Sequence, residues 1–423
     1  MAKIIVAAPP IPGELAPLLQ LGVDLAARGH RITVLTGSRF RSAVENAGLA
    51  FVPLSGAADY DIAEHAVMPE RLAAAPGPEQ LNIDWINAFV NPMPDQHTAL
   101  QELLAEDPDQ YLLCNVLFLG MLPPVMGVPG RKPLRWVGVS AVVMALSSDD
   151  TTFFGPVPVG PGEDQVAANR AANAGFTAAM CPTQERMDQL LRELGATEPT
   201  PSFVDAVAVL PDETAVLTVP GFEFARGDLP ANIHLVGIQP TRSAPDWQPP
   251  DWWSELDGSR PVVVVTQGTL ANHDFTQLVE PALTALADLD VTVVAALGRP
   301  ASALSIPIPA NARVAEFIPF DRLLPKASVY ISNGGIGGLQ QALAAGVPVV
   351  VAGETEDKPA NAARVKYHGL GIDLATATPT PEAIAAATAS LLEDSTTAGN
   401  VERIAKVYAE HDALTEIEHL LLR

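Results

Sequence analysis

Four glycines in five positions, Gly334, Gly335, Gly337 and Gly338, separate an apolar run ending at Ser332 from a helical pattern starting at Leu339. Glycine lets a backbone pass close to a ligand. The N–H groups exposed there lie at the positive end of the following helix, where a phosphate is favoured. Val347 to Ala352 is then a continuous apolar run between two glycines, the pattern of a parallel strand covered on both faces. Glu354, Glu356, Asp357 and Lys358 follow at its carboxyl end, where open α/β sheets bind ligands. A glycine turn by itself also suits tight packing without any ligand. The acidic loop one strand later places hydroxyl-binding carboxylates beside a phosphate cradle and favours a site.

The rest of the chain repeats the strand-helix rhythm twice. Lys3 to Ala8 reads as a buried strand and Pro9 to Glu14 as a turn. Leu15, Leu18, Leu19, Leu25 and Ala26 recur with helical spacing, and Arg31 to Leu35 returns as a strand. Such a βαβ opening implies a parallel sheet with right-handed crossovers. Asp59 to Asp95 reads as irregular, Gln96 to Ala105 as a helix, and Tyr111 to Asn115 and Leu134 to Val143 as strands. A long helical region over Gln165 to Leu194 is expected to break near Pro182. Thr241 to Pro261, rich in Pro, Asp and Trp, reads as a linker whose Trp247, Trp252 and Trp253 either pin it to a domain or mark a binding surface. Pro261 to Thr269 restarts the rhythm, with a helix expected over Phe275 to Leu286. The implied plan is an N-terminal domain over 1–240, a linker over 241–260, a second domain over 261–400, and a last helix over 401–423 that crosses back.

At 423 residues, each half is long enough to bury its own core. A net charge of −24 argues against nucleic-acid or anionic-membrane partners. It also means that a phosphate at the glycine turn has to be held by local N–H groups and a few nearby side chains. No segment reaches the roughly 18 apolar residues of a membrane span. Pro9, Pro10 and Pro12 cut short the first apolar run, so no signal peptide is read there and a soluble, cytoplasmic enzyme is expected. Cys114 and Cys181 sit in apolar surroundings and are expected to be buried, reduced thiols. No His, Asp or Glu cluster has metal-ligand spacing.

The stretch from Ser332 to Arg364 resembles the donor-binding signature of inverting nucleotide-sugar glycosyltransferases of the GT-B fold, the family of plant and bacterial macrolide enzymes. The resemblance extends over nearly the whole chain and is most specific in the second half. It implies two Rossmann-like, doubly wound parallel-sheet domains facing a central cleft. The implied donor is a UDP- or dTDP-sugar acting as co-substrate without further cofactor, and the acceptor a small hydrophobic molecule, as in natural-product glycosylation. On this resemblance Gly335, Gly337 and Gly338 form the phosphate turn, with Thr269 donating from the opposite loop. Phe317 and Ile318 pack on the base, Gln341 meets the ribose, and Asp357 and Lys358 meet the sugar.

The chain departs from the family at several of these positions. Asn333 stands where His is usual, Gln341 where Glu is usual, and Lys358 where Gln is usual. Asn333 donates hydrogen bonds without carrying charge. Lys358 is open to three readings: a partner for Asp357, a contact to phosphate, or a surface ion pair. The family's catalytic His, three residues before a proline, is Glu14 here, and Asn115 takes the place of its orienting Asp. A carboxylate accepts a proton directly, so Glu14 reads as a general base, or alternatively as a helix-capping charge. His65 and His97, in segments that line the acceptor pocket in such enzymes, are the rival bases. Two other activities remain open on the sequence: a nucleotide-sugar epimerase or hydrolase of the same fold, and a non-catalytic partner protein.

Overall fold

The computed structural model describes residues 1–423 apart from 76, 240, 245 and 269–271. It divides into two units, the first comprising Met1–Leu217, Arg226–Gln239 and Asp412–Arg423, the second Thr218–Ala225 and Pro240–His411. The first is built on Lys3–Ala7 (β1), Arg31–Thr36 (β2), Ala50–Pro53 (β3), Tyr111–Asn115 (β4), Trp136–Ser140 (β5), Glu213–Val216 (β6) and Ile233–Leu235 (β7). These form one parallel sheet in the order β3-β2-β1-β4-β5-β6-β7. The second holds Val262–Thr266 (β8), Thr292–Ala296 (β9), Ala312–Ala315 (β10), Val329–Ser332 (β11), Val349–Val351 (β12) and Gly371–Asp373 (β13), in the order β10-β9-β8-β11-β12-β13.

Burial follows from this arrangement. Helices cover both faces of a parallel sheet, so its central strands are apolar throughout. All five residues of β5 and all five of β8 are buried. In the first unit Leu15, Leu18, Leu21 and Leu25 of the helix Pro12–Ala27 pack on one face, together with Ile417, Leu420 and Leu421 from the end of the chain. In the second, Val263, Val265, Val293 and Ile331 pack with Leu283, Leu286 and Ile384.

Several boundaries differ from the sequence expectation, and proline explains most of them. The first helix starts at Pro12, not Leu15. Proline suits the first helical position because its missing N–H would be unpaired there anyway. Glu14 therefore lies within the first turn rather than before it. The helix expected from Phe275 begins at Val279, which places Pro281 in its first turn; in a longer helix that proline would clash with the preceding turn. The segment expected to be irregular carries helices Ile62–Ala66, Pro69–Ala73 and Pro78–Trp85, two of them opened by proline. The region over 165–194 is two helices, Gln165–Ala179 and Cys181–Glu193. Cys181 opens the second of them and is exposed, with its thiol against Glu185, contrary to the buried thiol expected; Cys114 is buried. The last helix is also two: Ser395–Glu410 in the second unit and Ala413–Leu422 in the first, the latter capped by Asp412.

The tryptophan-rich segment belongs to the second unit and is pinned there. Trp253 packs edge-on against Trp247 at 5.3 Å, Lys326 lies 5.7 Å from the Trp253 ring, and Lys326 Nζ donates to the Leu256 carbonyl at 2.8 Å. Ser243 donates through both its N–H and its hydroxyl to Asp321.

A second anchor is charged. Residues 218–225 lie against the helix Lys358–His368 through Arg364 and Glu223, both side chains fully buried and 2.7 Å apart. Phe224 stacks beneath the guanidinium at 4.4 Å, and Tyr367 meets its ring edge-on. Leaving one partner of such a pair buried alone costs about 3–5 kcal/mol. Arg364→Met is therefore expected to lower unfolding stability by that amount in urea titration. Burial holds the imidazole of nearby His368 below the usual histidine range. The unfolded chain then binds more protons than the folded one below about pH 6.5. Stability should accordingly fall as pH drops from 7 towards 5, and fall less in His368→Phe.

Candidate functional site

In open α/β sheets, ligands bind at the carboxyl ends of the strands where the winding reverses. The reversal lies between β1 and β4 in the first unit and between β8 and β11 in the second.

In the first unit, Ala7 of β1 is level with Cys114 of β4. Asn115, one residue beyond, therefore stands beside the turn that leads to Glu14. Its side chain is wholly buried and its Nδ2 donates to Glu14 Oε2 at 2.5 Å. The Leu117 N–H donates to Asn115 Oδ1 at 2.8 Å. That second bond fixes which end of the amide faces the carboxylate, so Asn115 presents a donor to Glu14.

Tyr60, which the sequence did not single out, belongs to this site. Burial, and secondly the negative charge of Glu14, hold its phenol well above the usual tyrosine range. Its hydroxyl donates to the Ala88 carbonyl at 2.7 Å. His65 stacks on the Tyr60 ring at 4.6 Å, and burial pushes its imidazole below the ordinary range. His97 has a different setting. It is buried in the helix Met93–Glu106, with Nδ1 at 3.1 Å from the Gly120 carbonyl, and burial lowers its pKa too. That bond reads as a structural anchor.

In the second unit the glycine turn follows β11. Gly334 has φ +86°, a conformation that favours glycine, and its N–H donates to Ser332 Oγ. The helix Ile336–Ala344 starts three residues earlier than the sequence pattern indicated, and its first helical bond runs from the Leu339 N–H to the Gly335 carbonyl. The N–H groups of Ile336, Gly337 and Gly338 thus have no intrahelical acceptor and point out of the helix end. Gly337 is exposed to open space. Gly338 has a further reason to be glycine: a Cβ there would lie 2.3 Å from the Tyr330 hydroxyl, where the helix packs on β11.

The side chains around the turn are arranged as follows. Asn333 Nδ2 donates to the Gln267 carbonyl at 2.7 Å, joining the ends of β8 and β11. Gln341 Oε1 accepts from the Thr241 hydroxyl at 2.6 Å. Asp357 is raised above the usual carboxylate range by burial. Asn361, absent from the sequence-based set, donates through one Nδ2 to both the Gly334 carbonyl and Asp357 Oδ2, each at 2.9 Å. It therefore ties the turn to the acidic loop. Its place four residues after Asp357 on a helix was the available signal. Lys358 is buried, not on the surface, and its ammonium pairs with Glu356 rather than Asp357. Phe317 is exposed while Ile318 is buried, so of the two only the Phe317 ring is open to a base. Thr269 lies outside the described residues.

Among the described residues no group of three or more His, Cys, Asp or Glu side chains is placed to hold a metal ion, and no helix is long and apolar enough to cross a membrane.

Comparison with known proteins agrees with this architecture. Residues 280–422 match the family described as erythromycin biosynthesis protein CIII-like, C-terminal domain. The chain is 35% identical to UDP-glycosyltransferase 2 of Phaeomoniella chlamydospora, over 98% of this chain and 94% of the relative. It is 33% identical to 4'-demethylrebeccamycin synthase of Lentzea aerocolonigenes, over 99% of both. The fold is shared with the solved glycotransferase of kitacinnamycin, with TM-score 0.73, 24% identity and 99% of each chain covered. Two doubly wound parallel sheets, a glycine turn at the reversal of the second, and near-full-length identity to these relatives place the chain in the GT-B glycosyltransferase family, as an enzyme of that family.

Proposed function

We propose that the chain moves a sugar, with inversion, from a uridine- or thymidine-diphosphate donor to a hydroxyl of a small hydrophobic acceptor, and that it does so without a metal ion. The observation that carries this reading is the bond from Asn115 to Glu14 at the reversal of the first sheet. It rebuilds with an amide and a carboxylate the two-residue base that the family builds from His and Asp. Asn115 orients the Glu14 carboxylate. Glu14 then takes the proton of the acceptor hydroxyl as its oxygen attacks the anomeric carbon. The bond to the diphosphate breaks on the opposite face of the sugar, which gives inversion.

The donor reading rests on the second unit. First-turn N–H groups of the helix Ile336–Ala344 and the Lys358 ammonium stabilise the charge that develops on the leaving diphosphate. Asp357, held by Asn361, accepts from the sugar hydroxyls. Asn333 gives one of its two amide hydrogens to the Gln267 carbonyl, and the Gln341 oxygen receives Thr241 on one of its two lone pairs. Phe317 offers its exposed ring to the base. The names of relatives such as UDP-glycosyltransferase 2 favour the uridine series, and acceptors are read as natural products on the same ground.

Glu14→Gln is expected to lower kcat by about 10²–10⁴, the usual contribution of a general base, while leaving donor binding by calorimetry unchanged. Near-normal turnover by that variant would remove Glu14 from the mechanism and return the role of base to His65 or His97. Transfer should also survive exhaustive EDTA treatment; a loss restored by a divalent cation would count against the metal-free reading.

A further inference from the structure

We propose that Glu356 is an intramolecular anion that occupies Lys358 until the donor's diphosphate replaces it, so that Glu356 sets donor affinity; this rests on the reading above that the glycine turn holds that diphosphate.

Lys358 is only 4% exposed. A buried ammonium needs an anion beside it, and the Glu356 carboxylate supplies one, with Thr355 Oγ1 at 3.2 Å as a neutral second acceptor. The two partners differ sharply in setting: the Lys358 side chain is 5% exposed and that of Glu356 61%. The carboxylate can return to water at little cost, whereas the ammonium stays. Lys358 also runs along the turn itself. A Cβ added at Gly353 would lie 2.1 Å from the Asn333 carbonyl oxygen and 2.7 Å from Lys358 Cδ, and one added at Gly334 would lie 3.6 Å from Lys358 Cβ. The Lys358 stem is thus packed against Gly334 in the glycine turn and Gly353 just past the end of β12. The Glu356 backbone has φ +58°, a conformation that few residues other than glycine adopt. Such strained residues cluster at ligand clamps and switch regions. In a chain of net charge −24, a carboxylate beside the anion site opposes an anionic donor doubly, by repulsion and by holding the cation.

The test is calorimetric titration with uridine diphosphate at low salt, with uridine as a probe that carries no phosphate. Glu356→Gln should bind the diphosphate roughly 5–10-fold tighter, because the diphosphate then displaces no carboxylate from Lys358, and should bind uridine unchanged. In a Lys358→Met background the same substitution should give little gain, because the two side chains act on one interaction. Unchanged or weaker diphosphate binding by Glu356→Gln would overturn the proposal, as would an equal gain in the Lys358→Met background. A wild-type protein that fails to bind uridine diphosphate would instead overturn the donor reading, and this inference with it.

Discussion

The reversal of winding in each sheet is the constraint on which the rest depends. β1 and β4 are neighbours whose connections leave towards opposite edges, and β8 and β11 repeat the arrangement. Loops at their carboxyl ends therefore diverge and leave a crevice that no crossover helix can fill. Residues far apart in sequence converge there. Glu14 and Asn115 meet at one reversal, and Asn333 and the Gln267 carbonyl meet at the other.

What the sequence made legible follows the same division. Buried parallel strands are apolar along most of their length, so β8 and β12 stand out as runs of Val and β11 as Val-Tyr-Ile. The glycine turn was visible because its residues serve backbone geometry, which is local. Helix starts were misplaced where prolines at positions 12 and 281 act as openers rather than breakers. Side-chain partners were the least accessible part. The Gln341 oxygen receives Thr241 from the tryptophan-rich segment, one such partner. The readings of Lys358 include an ion pair with no partner named, and the carboxylate it takes is Glu356, two residues earlier on the loop. Spacing along a helix or strand says nothing about a partner supplied by a loop, and burial of a lysine is invisible until the fold is known.

The chemistry of the first site differs in kind from a His–Asp pair. An imidazole oriented by a carboxylate gains basicity from it. A carboxylate oriented by a neutral amide gains position from its partner.

The assignment of the final residues to the first unit has a consequence for how the protein is made. Ile417, Leu420 and Leu421 are part of the core that also contains Ile4, Val6 and Leu18. A chain emerging from the ribosome would have β1 to β7 and the whole second unit available before those three side chains appear. The half that is synthesised first is therefore completed last.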